Sequence, residues 1–304
     1  MSDFTTIDYQ SRDRKAYITL NRPERKNAIN DELPGELAAA VERANEDDDV
    51  RVIVLQGAGD SFCAGYDLKQ FAEQDQSQGR WRQTDPWDPI RDYREMRRNT
   101  DQFFSLWRSL KPTIAKVHGY AIAGGSDIAL CADVLIMADD ARIGYPPARV
   151  WGCPTTAMWV YRLGAQRAKR MLLTGDTISG AQAAEWGLAL ESVPAERLDE
   201  AVEALADRMS GMPTNQLVMQ KLMINQAYDN MGLNSTQTIA TIFDGITRNS
   251  PEGKWFKEFA ERDGFHAAVA WRDSGQLIPD GGGELPAPER AQEVAEARGW
   301  KGKR

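Results

Sequence analysis

The sequence predicts an α/β protein, with alternating strands and helices followed by a helical C-terminal third. Three observations predict it. Residues 52–55 and 134–138 are unbroken apolar runs, the text of strands buried on both faces as in a helix-covered parallel sheet. Leu33, Leu37, Ala40 and Val41 recur at helical spacing between the first two strand-like runs, so a helix crosses over between them. From about residue 215 to 265 the text is nearly all helical.

Taken in order, residues 16–20 form a short β-rich run that ends at a Pro-containing turn, Asn21-Arg22-Pro23-Glu24. A helix follows over about 31–44, then the buried strand 52–55, which ends at Gln56-Gly57. Residues 113–117 read as the next strand, a Gly-Gly turn leads into a small-residue helix over 126–132, and 134–138 return as a strand. Residues 165–175, 180–187 and 195–211 read as helices, with a short strand at 189–193. Two stretches stand apart. Residues 70–100 are polar and Trp- and Pro-containing, which reads as a long loop or partly helical lid. The end of the chain is rich in Gly, Pro and charge, so a mobile tail is expected there. The chain therefore divides into a core over 1–210, a helical region over 211–270 and a tail over 271–304.

Composition narrows the function classes. The 304 residues are 42% hydrophobic and 27% charged, which excludes wholesale disorder. Lys and Arg total 37 against 45 Asp and Glu, and this net charge of −8 argues against a nucleic-acid partner. No apolar run approaches the ~20 residues of a spanning helix, so no membrane partner is expected. The N-terminal text MSDFTTIDYQSRDRK lacks the apolar segment of a signal peptide. Cys63, Cys131 and Cys153 suggest no disulfide framework, so the expectation is a reduced, cytoplasmic protein. His118 and His266 cannot build a multi-His metal site, and no metal motif is present.

Two glycine-containing turns follow strand-like runs: Ser61-Phe62-Cys63-Ala64-Gly65-Tyr66-Asp67-Leu68-Lys69 and His118-Gly119-Tyr120-Ala121-Ile122-Ala123-Gly124-Gly125-Ser126-Asp127. Glycine permits close backbone approach and positive φ, so main-chain N–H groups can be aimed into a cleft. The second turn opens a helix, whose first N–H groups lack internal acceptors. Facing each other, two such turns would hold a carbonyl oxygen as it becomes an enolate. The same glycines also serve plain turn and packing roles, and spacing alone does not separate the two readings.

Over roughly residues 4–265 the chain resembles the crotonase (enoyl-CoA hydratase/isomerase) superfamily. The matching text is LNRPERKNAI at 20–29, SFCAGYDLK at 61–69, KPTIAKVHGYAIAGGSDIALCADVLIMADDARIGYPPARVWGCP at 111–154 and LTGDTISGAQAAEWGLALESVP at 173–194, in the family's order. The resemblance implies a ββα spiral core with a helical C-terminal trimerisation region. It also implies an acyl-CoA thioester substrate, no cofactor besides the CoA carried on that substrate, and a homotrimer or hexamer. Its oxyanion donors fall on the N–H groups of Tyr66 and Gly124. Its CoA walls fall on Asn21 to Ala28, on Ala64, and on Tyr66, Asp67, Leu68 and Lys69. Arg25, Lys26 and Lys254 are its candidates for phosphate contacts, the last toward a CoA bound mainly by a neighbouring subunit. Exposed surface roles stand as the alternative for all three.

The match breaks at the acids. The family's hydratases use two glutamates. The first falls at Asp127, one methylene shorter, and the second at Pro147, which has no proton to exchange. Pro146 and Pro154 keep the family's spacing across this gap. Asp127 reads as the retained acid or as a cap of its own helix. Tyr145 is a candidate donor near the lost glutamate, or a packed ring. Arg149 is a candidate partner for a substrate carboxylate, or a surface ion pair. Cys153 has no histidine partner in sequence and reads as packing, as do Cys63 and Cys131. His118 reads as structural. Trp81, Trp87 and Trp107 are candidates to cover an acyl pocket. The default expectation is hydration of a 2-enoyl-CoA through an oxyanion-stabilised enolate. The alternatives are an isomerase, C–C hydrolase or lyase acting on a bulky acyl-CoA, and a non-catalytic acyl-CoA binder.

Overall fold

The computed structural model describes residues 4–68 and 86–298. A six-stranded sheet forms the centre, in the order β1 (Ile7–Arg12), β2 (Lys15–Leu20), β3 (Val52–Gly57), β4 (Thr113–Val117), β6 (Val134–Ala138) and β9 (Glu191–Val193). All pairs are parallel except β1 with β2. A second sheet joins β5 (Tyr120–Ile122), β7 (Arg142–Gly144) and β8 (Thr177–Ser179). The chain visits the large sheet, then the small one, then a helix, and repeats, which is the expected ββα spiral.

The apolar runs explain the central strands. Val52, Ile53, Val54 and Leu55 are all buried, as are Leu135, Ile136, Met137 and Ala138. Helix α1 (Leu33–Glu46) buries Leu33, Leu37, Ala40, Val41 and Ala44, the face its spacing predicts. Strand β1 escaped the reading because only Ile7 of it is buried. It is an edge strand, turned into β2 through Asp13 and Arg14, both at positive φ.

The structure refines three expectations, and of the two readings of 70–100 the partly helical one holds for its described part. Part of the polar 70–100 stretch is helix α2 (Pro89–Phe103), capped by Asp88 Oδ1, which accepts the Ile90 and Arg91 N–H groups at 3.1 and 3.0 Å. It is followed by the short α3 (Ser105–Arg108). Its polar text hid a buried face of Met96, Asn99, Thr100 and Phe103. Residues 69–85 of the expected loop, Lys69 and Trp81 among them, lie outside the described residues. The helix read at 165–175 is the second half of α5 (Met158–Thr174), which bends at Gly164 where φ is 70°. The tail from 271 is not all mobile: after an irregular stretch, α12 (Pro288–Ala297) packs Ala291, Val294 and Ala295 inward. Small residues on that helix fit against the aromatic face of α10 (Pro251–Asp263), where Trp255, Phe256 and Phe259 are buried, and against α11 (Phe265–Asp273).

After β8, α6 (Gly180–Glu185) and α7 (Leu198–Ser210) complete the core. The C-terminal region continues with α8 (Thr214–Asn230) and α9 (Leu233–Asn249), which pack back on the core. Lys221 of α8 is buried, pairs with Asp133 at 2.8 Å and donates to the Leu106 and Lys111 carbonyls at 3.0 Å each. Asn225 donates to the Trp107 carbonyl at 2.8 Å. No helix among the described residues is long and apolar enough to cross a membrane.

Removing one partner of a buried pair leaves an uncompensated charge. Lys221→Ala therefore lowers unfolding stability by about 3–5 kcal/mol in a denaturant titration. A change within 0.5 kcal/mol would show that α8 does not hold the core.

Candidate active site

The two glycine turns meet, and they meet through backbone. Phe62 N–H donates to the His118 carbonyl at 3.0 Å, Cys63 N–H to Tyr120 at 2.8 Å, and Ile122 N–H back to Cys63 at 3.0 Å. On its other side the first turn is tied to the 26–29 segment by Ala64 N–H to Lys26 O at 3.0 Å and Ile29 N–H to Gly65 O at 2.8 Å. Glycine is required at the contact. Gly65 has φ +93°, and a Cβ there would lie 2.9 Å from Ile122 O and 3.0 Å from Ala123 Cβ. A Cβ on Gly125 would lie 2.2 Å from the Cys63 carbonyl oxygen.

The expected donors fall on either side of this seam. Gly65 C=O and Asp67 N–H both bond Ile29, at 2.8 Å each, so the Tyr66 N–H between them points away from that segment. Gly124 is the first residue of α4 (Gly124–Cys131), so its N–H has no acceptor within the helix. The Tyr66 ring lies against Gly124: a Cβ there would be 3.0 and 3.1 Å from Tyr66 Cε2 and Cδ2. Ala123, which precedes the helix, sits at φ 53° and ψ −124°. Such a conformation costs about 1–3 kcal/mol for a non-glycine residue and persists only where the surroundings hold it. Here Ala123 N–H donates to Gly144 O at 3.0 Å, and its carbonyl accepts from Ser126 and Asp127 N–H at 2.9 and 3.1 Å.

Asp127 is 2% exposed. It does not cap its helix, because its Oδ1 accepts from the Thr156 hydroxyl at 2.5 Å. Burial pushes its pKa up to about 8; the Thr156 hydroxyl opposes this, the nearby Asp244 carboxylate adds to it, and the Thr156 N–H opposes it. At neutral pH Asp127 is therefore mostly a neutral acid. Tyr145 is buried beside it. Burial raises its hydroxyl well above the usual phenol range, and the charges of Asp127 and Asp244 raise it further. It remains a neutral donor. The Tyr66 hydroxyl is raised chiefly by burial and accepts from Asn99 Nδ2 at 3.5 Å. Cys153 is half-buried and its thiol is pushed up to about 12, first by burial and then by Asp244 and Asp127. It stays protonated and is no nucleophile.

Other expected residues fall in different places. Pro147 lies in a 3-10 turn, Pro146–Arg149, and packs near Gly152 and the Tyr145 hydroxyl. Arg149 is turned away from the site: it donates to Thr174 O at 2.7 Å, Asp176 at 3.3 Å and Asp273 at 3.4 Å. It ties the C-terminal end of α5 to α11, the ion-pair alternative of its two expected readings. Asp67 is held by Arg22 at 2.9 Å, and Arg22 also donates to Ala28 O, so this pair ties residues 22–28, one side of the expected CoA wall, to the first turn. Ala28 is buried; Ala64 and Leu68 are half-buried along the same wall. Arg25 and Lys26 are exposed at its rim, with Lys26 Nζ 3.7 Å from Asp60 and 5.0 Å above the Tyr120 ring. Lys254 is exposed on α10. His118 Nε2 lies 3.0 Å from Gly59 O. Trp107 is core, and Trp87 donates to Asp92 at 2.9 Å. Thr156 and Asp244 were missed. No local pattern marks either, since both reach Asp127 only through the fold.

The enoyl-CoA hydratase/isomerase family model matches residues 12–267. The chain belongs to that family. Its structure superposes on a crystal structure of an enoyl-CoA hydratase from Mycobacterium smegmatis with a TM-score of 0.84, at 48% identity over 92% of this chain and 98% of that one. It is 34% identical to the 1,2-epoxyphenylacetyl-CoA isomerase of Escherichia coli, over 70% of this chain and 79% of the relative. It is 33% identical to the hydroxycinnamoyl-CoA hydratase-lyase of Pseudomonas fluorescens, over 66% and 71%. The protein is thus an enzyme of the crotonase fold, in a family whose members include hydratases, isomerases and a hydratase-lyase.

Two outcomes follow from the geometry. Gly125→Ala forces Cβ onto the Cys63 carbonyl, so the turns separate and activity falls at least 100-fold while the circular dichroism spectrum stays largely helical. Unfolded Asp127 releases its proton near pH ~3.9, whereas the folded carboxyl holds it to about 8. Between those values the unfolded state binds fewer protons, so stability falls as pH rises. Asp127→Asn removes this slope. Its melting temperature matches the wild type near pH 4 and exceeds it by about 5 °C or more at pH 8. A difference independent of pH would mean that Asp127 does not hold its proton.

Proposed function

We propose that the protein binds an acyl-CoA thioester with its carbonyl oxygen between the Tyr66 and Gly124 N–H groups, and that Asp127 alone moves the proton in an isomerisation. The observation that carries this reading is a buried carboxyl in the first turn of the helix that opens at the second of two joined amide turns, with a proline where the resemblance expects a second carboxylate. By the family resemblance the second glutamate of a two-carboxylate hydratase falls at Pro147, and among the described residues the other buried carboxylate near Asp127, Asp244, is held by Arg248 and the Cys153 N–H. A shuttle needs only one. Ionised Asp127 takes a proton from the carbon beside the carbonyl or the vinylogous one, and the electron pair moves into the C=O. The two N–H groups stabilise the resulting enolate oxygen. The same carboxyl then returns the proton to another carbon. A 1,2-epoxyphenylacetyl-CoA isomerase of Escherichia coli among the relatives shows that the family includes isomerases of acyl-CoA substrates.

The rim fits CoA. Arg25 and Lys26 are exposed cations beside the Ala28, Ala64 and Asp67 wall and suit its phosphates. Lys254 would serve a CoA on a neighbouring subunit. Exposed Met219, Leu222, Met223, Ile239, Ile242 and Phe243 on α8 and α9 are the surface on which a homotrimer or hexamer would pack. Three free cysteines fit a reducing, cytoplasmic setting.

Proton exchange next to the carbonyl of an acyl-CoA in D₂O, together with double-bond migration in a 3-enoyl-CoA, tests the reading. The rate rises with pH through about 8 as Asp127 ionises, and Asp127→Asn lowers it about 10²–10⁴-fold. Crotonyl-CoA hydration at ordinary rates, unchanged in Asp127→Asn, would overturn it. Tight acyl-CoA binding without any exchange would instead mark a non-catalytic binder.

A further inference from the structure

The reading of Asp127 as the reacting acid leaves open what holds that acid in place, and the C-terminal helices supply an answer. Residues 153–156 form a strap that passes behind Asp127. The strap is tied at four points. Cys153 N–H donates to Asp244 Oδ1 at 2.9 Å, and the Thr156 carbonyl accepts from Gln237 Nε2 at 3.2 Å. Gln237 and Asp244 are about two turns apart on α9, so they share one face of it. Between these ties Thr155 Oγ1 accepts from Thr100 of α2 at 2.7 Å, and the Thr156 hydroxyl donates to Asp127. Thr155 and Thr156 are both buried. Trp151 and Ala157, on either side of the strap, sit at φ 76° and 56°. Two non-glycine residues in that region persist only where the surrounding contacts over-determine them.

The clamp is itself anchored. Asp244 Oδ2 faces Arg248 NH2 at 3.0 Å, and the same guanidinium nitrogen reaches Asp92 of α2 at 2.7 Å. Asp92 in turn accepts from Trp87 Nε1 at 2.9 Å. Gly245 leaves room for this packing, because a Cβ there would lie 2.8 Å from Asp92 Oδ2. The two carboxylates and one guanidinium are all nearly buried.

We propose that α9 is the positioning element of the site: Asp244 and Gln237 clamp the 153–156 strap, and the strap's Thr156 hydroxyl orients Asp127 toward the two amide turns. Asp244 and Thr156 do not touch substrate. They act through Asp127, and they act in opposite senses. The Thr156 hydroxyl bonds the ionised form of Asp127 and favours it, whereas the Asp244 carboxylate, itself raised by burial and opposed by Arg248, disfavours it. The titratable and charged groups facing Asp127 are Tyr66 from the first turn, Tyr145 and Cys153 from the segment that carries the strap, Cys131 on its own helix, and Asp244 of α9 with Arg248 and Asp92 behind it.

The test follows the Asp127 carboxyl directly, in full-length protein labelled with ¹³C-aspartate, its resonance assigned by loss in Asp127→Asn. Proton exchange on butyryl-CoA in D₂O is measured in parallel. Thr156→Val raises the titration midpoint by about one pH unit and lowers kcat for exchange about 10-fold or more with KM within about 2-fold, and Thr156→Ser restores both. Asp244→Asn moves the midpoint the opposite way, downward. If Asp244→Asn does not fold, the Thr156 pair decides alone. A midpoint and kcat left at wild-type values in Thr156→Val overturn the proposal, as does a shift of both variants in the same direction. A wild type that exchanges no proton, while Thr156→Val still raises the midpoint, supports the clamp and removes the acyl-CoA reading instead.

Discussion

The site depends on how closely two loops approach. Gly65 and Gly125 bring the backbone of the first turn against residues 122–125 and against Cys63, at separations that leave no space for a methyl group. Three reciprocal hydrogen bonds between 62–63 and 118–122 then hold the two turns as one short two-stranded unit. The large sheet delivers both turns, since each follows the C-terminal end of a neighbouring parallel strand, β3 or β4. This is where open α/β sheets place ligands generally. Ala123 shows that the seam is strong enough to hold a residue in a disfavoured conformation just before the helix that carries Gly124 and Asp127.

A consequence of that tight seam is a dry carboxyl. Asp127 lies three residues beyond Gly124 in α4 and is 2% exposed, with its Oδ1 on the Thr156 hydroxyl. In such surroundings an ionised carboxylate is disfavoured, and a fixed neighbouring anion adds to the penalty. In the proposed reading Pro147 stands where the family's second acid would fall, and the proton chemistry then rests on Asp127, a carboxyl whose midpoint burial pushes up to about 8. One acid with a midpoint near neutrality suits taking and returning a proton in turn.

The C-terminal helices are part of this site. Through Asp244, Gln237 and Arg248, α9 reaches the strap behind Asp127 and the α2 helix in front of it. α8 pins the other end of the core through Lys221 and Asn225. The folded position of the C-terminal third is therefore coupled to the geometry of a carboxyl far earlier in the chain. A small aromatic core of α10, α11 and α12 closes the molecule beyond them.

By itself the sequence determined the fold class, the central strands β2, β3, β4 and β6, helix α1 and the two glycine turns. Each of these is written locally: continuous apolar text for a strand covered on both sides, a 3.6-residue period for a helix with one buried face, glycine where backbone must approach backbone. Through the family resemblance it also placed Pro147 where a second acid is expected, because a change of functional group is visible in one letter. It did not show β1 or the buried face of α2, where polar text forms an edge strand and a helix with one buried side. It left Arg149 open between a substrate carboxylate and an ion pair, because its partners Asp176 and Asp273 come from distant segments. Only the tertiary structure decided that Thr156 bonds Asp127, and that Asp244 stands near enough to act on its charge. Hydrogen bonds and charges act through space over a few ångströms, and residues that far apart along the chain leave no periodicity or spacing for the sequence to record.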